Sequence, residues 1–172
     1  MSDDAPATLL DEALEAWAYT RRGLLAEAEV IPDDDYDWRP HPEARSVAEI
    51  LRHILESGRM AHGELAREDG DFTRQGFEAH LQEYSEELPD DLFPDELRGH
   101  LETSLEEGLG VLSEAGELHM LGRIRRFDGV FGTRLAWLQH HVAHESHHRG
   151  QVALYARQLD IVPALTQKIE GS

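Results

Sequence analysis

Four stretches of apolar residues at helical spacing, with no convincing run of strict alternation between them, leave this chain few folds to choose from. The first, from Thr8 to about Glu29, carries Leu10, Ala13, Leu14, Trp17, Leu24 and Ala28, and Thr8 with Asp11 has the form of a capping box. The second opens at Ser46, where SVAE is a Ser-x-x-Glu box, and runs to about Arg67 with Val47, Ile50, Ile54, Ala61 and Leu65 as its stripe. The third starts near Pro94 and carries Leu97, Leu101, Leu105, Leu109 and Leu112. The fourth spans about Thr133 to Leu159. Residues 30–45 hold three prolines and an acidic run, which predict a structured crossing loop anchored by Tyr36 and Trp38. Phe77, Leu81, Tyr84 and Leu88 predict one short extra helix within a second long connection. Residues 114–132 show no clear period. Their basic RIRR, Arg123 to Arg126, reads as an exposed turn, with an anionic substrate as the functional alternative, and Pro163 is expected to end the ordered pattern near Ile161. The expected fold is all-α: an antiparallel four-helix bundle with crossover connections and one short extra helix, in a single domain spanning residues 1–172.

The fourth stretch also holds the densest chemistry. HHVAHESHHRGQ, from His140 to Gln151, contains five of the eleven histidines. On a helix, residues four apart lie within about 40° of each other, so His144 and His148 point the same way, one turn apart. The same projection puts Trp137, His141, Tyr155 and Leu159 on that inward face and leaves His140 and His147 on the opposite rim; His140 with His144 is a second pair at the same spacing. Two neutral imidazoles so placed chelate a borderline ion such as zinc or nickel. The bland reading is a solvated, pH-sensitive cluster or a hydrogen-bonded core histidine. The inward direction of the pair favours metal, because something must offset its desolvation. On the second helix His53 falls at the edge of the apolar stripe, with Glu56, Ser57 and Met60 beside it, where a bundle would line a cleft and a helix-two histidine could meet the helix-four pair.

Charge and composition narrow the partners. Sixteen Lys and Arg against 35 Asp and Glu give a formal charge of -19, whose field repels phosphate backbones and anionic lipid surfaces, so direct nucleic-acid or membrane binding is not expected. The absence of cysteine excludes disulfides, thiolate ligands and a cysteine nucleophile, so any metal must use nitrogen and oxygen donors. The start MSDDAPATLL lacks the basic and apolar regions of a signal peptide, and the expected location is cytoplasmic.

The run WRPHPEARSVAEILRHILE at 38–56, followed much later by HHVAHESHHRGQ at 140–151, resembles the DinB-like superfamily of four-helix bundles. That superfamily includes damage-inducible proteins, relatives of the YfiT metal-dependent hydrolases, and low-molecular-weight-thiol transferases. The specific part is an HxxHHRGQ ending, matched by His144, His147, His148, Arg149, Gly150 and Gln151. The resemblance implies a divalent ion, zinc or nickel, held by His53, His144 and His148, with His147 outside the ligand set. Such a site would leave open positions, and could lower the pKa of a bound water or stabilise a substrate thiolate. It implies a metal-dependent enzyme acting on a small molecule, in the first reading an S-transferase with a low-molecular-weight thiol as second cofactor. The alternatives are a metal-dependent hydrolase or a non-catalytic metal-binding stress-response protein. Glu56 and His141 are the candidate acid–base residues. Glu56, Glu145 and Gln151 are candidate partners for the second imidazole nitrogens. Gly150 would permit close approach of a neighbouring element, and a homodimer paired through a helix face is one expected assembly.

Overall fold

The computed structural model describes residues 7–89 and 91–171. The N-terminal residues, on which the expectation of no leader rests, lie outside the described residues, as does Asp90 in the second connection. Helix α1 spans Leu9–Glu29, α2 Val47–Ala66, α3 Phe77–Ser85, α4 Pro94–Met120, α5 Arg134–Gln158 and α6 Ala164–Glu170. Between α4 and α5 stands an antiparallel hairpin of β1, Arg123–Arg125, and β2, Phe131–Thr133.

Helices α1, α2, α4 and α5 form the bundle, and α1 and α2 each pack against both α4 and α5. The pairs α1/α2 and α4/α5 therefore sit across the diagonals, while α2 and α4 are neighbours. The Leu65 carbonyl accepts from His119 Nε2 at 2.8 Å, while Ile50 and Ile54 share a core cluster with Leu97 and Leu101, so α2 and α4 run in the same direction. Two parallel neighbours need a long return path, and residues 67–93, with α3, supply it. Against α5 the sense is opposite: Tyr155 Oη donates to the Arg45 carbonyl at 3.3 Å, and Arg134 Nη2 to the Arg67 carbonyl at 2.9 Å.

Both predicted capping boxes form. Asp11 N–H donates to Thr8 Oγ1 at 3.1 Å, and Glu49 N–H to Ser46 Oγ at 3.2 Å, each answered by the carboxylate reaching back to the cap N–H. Each such cap is worth about 1 kcal/mol. The predicted α2 stripe is buried throughout. Three expectations need correction. Residues 123–133 are a hairpin, in which Ile124 is buried while Arg123 stacks over Phe131 and Arg126 over Trp137, so Arg123–Arg125 form a strand, with Arg126 just beyond it, and not a free turn. Pro163 does not end the order. It caps α6, a second short helix, whose Ala164 and Leu165 N–H groups donate to the buried carboxylate of Glu27 at 2.7 and 3.1 Å. Helix α4 also continues past Leu112 to Met120, across a break at Gly116, where a φ of 81° suits glycine.

The core divides into two apolar ends. One gathers Leu24, Tyr36, Val47, Ile50, Leu97 and Val152; the other gathers Leu10, Trp17, Leu65, Leu105, Leu112 and Leu138. A polar belt lies between them, and the candidate site belongs to it.

Candidate metal centre

Helix α2 carries His53 two turns beyond its Ser46 cap, and α5 carries His144 and His148 on successive turns facing it. The His144 Nε2 atom stands 3.0 Å from His53 Nε2 and 3.1 Å from His148 Nε2, and the ligand-capable nitrogens of all three lie within 4.8 Å of one another. Their rings are nearly perpendicular in pairs, at 81°, 78° and 88°, so three edges converge on one point. Two metal–nitrogen bonds of about 2.0–2.1 Å separate their nitrogens by about 2.9 Å at a right angle and about 3.4 Å at the tetrahedral angle. The observed spacings fall inside that interval.

The electrostatics favour neutral imidazoles. Burial, followed by the Arg45 charge and the neighbouring histidines, lowers the His53 pKa to about 4. Burial, with His148 and His53 next, takes His144 to about 3. His148 is also lowered by burial, partly countered by its hydrogen bond to Gln151. That bond is 2.6 Å from His148 Nδ1 to Gln151 Oε1, so Nδ1–H donates and Nε2 keeps its lone pair for the shared point. Three neutral nitrogen donors, one with its tautomer fixed from behind, fit a borderline divalent cation.

Beside this cluster lies the centre of the polar belt. The Glu145 and Arg21 side chains are fully buried and ion-paired. Glu145 Oε1 accepts from Trp17 Nε1 at 2.9 Å, and Oε2 from Arg21 Nε at 2.9 Å, while Arg21 Nη1 donates to the Leu101 carbonyl at 2.9 Å. Burial alone would raise the Glu145 pKa, but the charges of Arg21 and His141 outweigh it and hold the carboxyl below the usual range. His141 Nε2 approaches Glu145 Oε1 to 2.7 Å, although its N–H does not align as a hydrogen bond. Gly58 makes room for this ion pair, since a Cβ there would stand 2.7 Å from Arg21 Nη2.

The structure thus gathers His53, His144 and His148 and leaves His140 and His147 exposed, as the helical projection required. It sorts the proposed partners: Gln151 reaches a clustered imidazole, Glu145 serves Arg21, and Glu56 is held by Arg52 Nε at 2.9 Å. His141 is buried and lines, with His53, Met60, Phe77, Trp137 and His144, a largely apolar cavity of about 210 Å³. Gly150 faces open space, so the expected close approach of another element does not occur. The inward face of α5 is also turned from the expected one: Leu138, Glu145 and Val152 are its most enclosed residues, while Trp137 and His144 are half-buried. Arg21 went unread. Its signal was position, an arginine four residues after Trp17 and three before Leu24 on an apolar stripe.

A second group with metal-ligating atoms consists of Glu64, His80 and Glu83. There Arg74 already binds both Glu64 oxygens at 2.7 Å and Glu83 Oε2 at 2.9 Å, so the carboxylates have their cation.

The sequence profile of the DinB superfamily matches residues 16–152. YjoA of Bacillus subtilis (strain 168), an uncharacterised protein, is 27% identical over 135 residues, covering 77% of this chain and 79% of its own length. The crystal structure of YjoA, a DinB-like protein, superposes with a TM-score of 0.67 at 22% identity over 87% of this chain and 92% of that one. YfiT of Bacillus subtilis, described as a probable metal-dependent hydrolase with an unusual four-helix bundle topology, gives 0.70 at 15% identity over 94% of both chains. A mycothiol-dependent maleylpyruvate isomerase gives 0.63 at 14% identity over 88% of this chain and 63% of that one. At these identities the structural likenesses speak for the fold.

Proposed function

Because the chain belongs to the DinB superfamily, we propose that it is a metal-dependent hydrolase of small molecules, with His53, His144 and His148 as ligands of one divalent ion, zinc or nickel. The observation that carries this reading is the convergence of three neutral Nε2 atoms, 3.0 and 3.1 Å apart, from two antiparallel helices. Held by neutral donors, such an ion would retain its full charge and supply Lewis-acid polarisation. The protein's own part is to position and to exclude water. Gln151 fixes the His148 tautomer, the Arg21–Glu145 pair braces α1 against α5, and Met60, Phe77 and Trp137 offer an apolar seat beside the cluster. His141 is the candidate proton acceptor: the Glu145 carboxylate beside Nε2 would stabilise the imidazolium, with Nδ1 as the ring's other proton site.

The hydrolase reading is favoured over the thiol transferase because the fold match to YfiT extends over 94% of both chains, whereas this chain spans 63% of the mycothiol-dependent enzyme. Protein purified without an affinity tag should contain about one zinc or nickel ion per chain. A panel of small esters and amides, with and without low-molecular-weight thiols, then separates the activities. Thiol-independent hydrolysis is expected. Turnover only with a thiol would replace the hydrolase by the transferase, and bound metal with no turnover would support a non-catalytic role.

A further inference from the structure

Two hollows meet at His53, and they differ in kind. On one side is the apolar cavity walled by Met60, Phe77 and Trp137. On the other is a polar cleft bearing Arg39, Arg45 and Arg52 together with Glu43, Glu49 and Glu56. In a chain with 16 basic residues and a charge of -19, three arginines around one cleft are a local concentration.

The three are not equivalent. Arg39 is paired with Glu49 at 3.2 Å, and that carboxylate also accepts from the Ser46 N–H at 2.7 Å. Arg52 is paired with Glu56 at 2.9 Å. Among the described residues no carboxylate lies within ion-pair distance of Arg45. Its backbone is nonetheless fixed, because its carbonyl accepts from Tyr155 Oη at 3.3 Å and the next residue is the buried cap of α2. An exposed guanidinium thus rises from an anchored position at the mouth of the three-histidine cluster.

We infer that the substrate is a small monocarboxylate whose anionic head binds Arg45 and whose apolar body occupies the Met60–Phe77–Trp137 cavity. A planar guanidinium matches a carboxylate bidentately. Glu43 also lines the cleft, and Arg45 is the one of its three arginines outside an ion pair, so it offers a single counter-charge, whereas a phosphate monoester would bring nearly two negative charges into a strongly acidic molecule. The cleft that takes the head and the cavity that takes the body share His53 in their walls, so the bond joining them passes the imidazole cluster. This assignment rests on reading that cluster as the reactive centre, and it makes the substrate class an ester or amide linking an apolar acyl group to a carboxylate-bearing fragment. Hydrolysis of such a molecule consumes one water: the acyl carbon gains a bond to oxygen, the carbon–nitrogen or carbon–oxygen bond breaks, and the leaving atom takes a proton.

The probes are N-benzoylglycine and its neutral carboxamide, titrated calorimetrically into the purified full-length protein and into Arg45→Gln, with metal content measured in parallel. The acid should bind the parent about 10-fold or more tightly than the amide, as a charge-assisted contact provides, and Arg45→Gln should erase that preference without changing metal content. Arg45→Lys should restore part of it. Equal binding of acid and amide, undiminished preference in Arg45→Gln, or no binding of either probe at millimolar concentration overturns the assignment. Bound metal combined with any of these leaves the three-histidine reading standing, whereas an Arg45-dependent preference in protein that takes up no metal removes that reading and keeps the anion seat.

Discussion

The His53–His144–His148 cluster and the Glu64–His80–Glu83 cluster both bring three ligand-capable side chains together, yet they are opposite in what they still need. In the second, two carboxylates surround Arg74, and His80 Nε2 stands 3.0 Å from the Phe72 carbonyl, which can only accept, so that nitrogen carries a proton. Its charges are closed by the protein itself. In the first, burial lowers the pKa of all three imidazoles, their Nε2 atoms face one another, and among the described residues no lysine or arginine is ion-paired or hydrogen-bonded within the cluster. Donor count is therefore a poor sign of a metal centre. What matters is whether the chain already supplies the counter-charge.

The sharpest break between the two is metal occupancy. His148→Ala should drop bound metal from about one ion per chain to well below one, while His80→Ala should leave it unchanged. Elemental analysis of both variants decides, and retention of full occupancy by His148→Ala would remove His148 from the site. Next in size is the effect of Arg74→Ala, which strips the counter-charge from the buried Glu64 carboxylate. Its cost should be about 2 kcal/mol in urea unfolding, below the range for a fully buried pair because Arg74 is partly exposed, with metal content intact. A loss of metal in that variant would show the two clusters to be coupled.

The smallest effect is a pH dependence. His53 and His144 have folded-state values of about 4 and about 3, below the ordinary 6.5, so the folded state prefers their neutral forms. Their contribution to stability is complete above pH 6.5 and is lost as pH falls toward 4 and then 3. Metal-free protein should weaken over that window, and His144→Asn should flatten the slope. An unchanged slope in the variant would mean that His144 titrates alike in the folded and unfolded protein.

Legibility followed the range of the interaction. The caps at Thr8 and Ser46 were readable because both partners lie three residues apart. His144 and His148 were readable because helical pitch alone sets their direction. Three-residue strands such as β1 and β2 carry too few positions to show alternation, so the hairpin was invisible. Pro163 reads as a stop in the sequence because the carboxylate that receives the Ala164 N–H of the next helix comes from Glu27, 137 residues before Ala164. By sequence Glu145 is a candidate partner for the clustered imidazoles, but Arg21, from another helix, holds it instead.

By itself the sequence determined the helices, their caps, and the pairing of two histidines on one face, since each follows from groups within a turn or two of one another. Only the tertiary structure decided that His53 completes that pair, that Arg74 rather than a metal satisfies the second cluster, and that Arg45 stands without a carboxylate partner among the described residues. Those outcomes depend on which charge from a distant segment arrives within a few ångströms, and no local spacing encodes it.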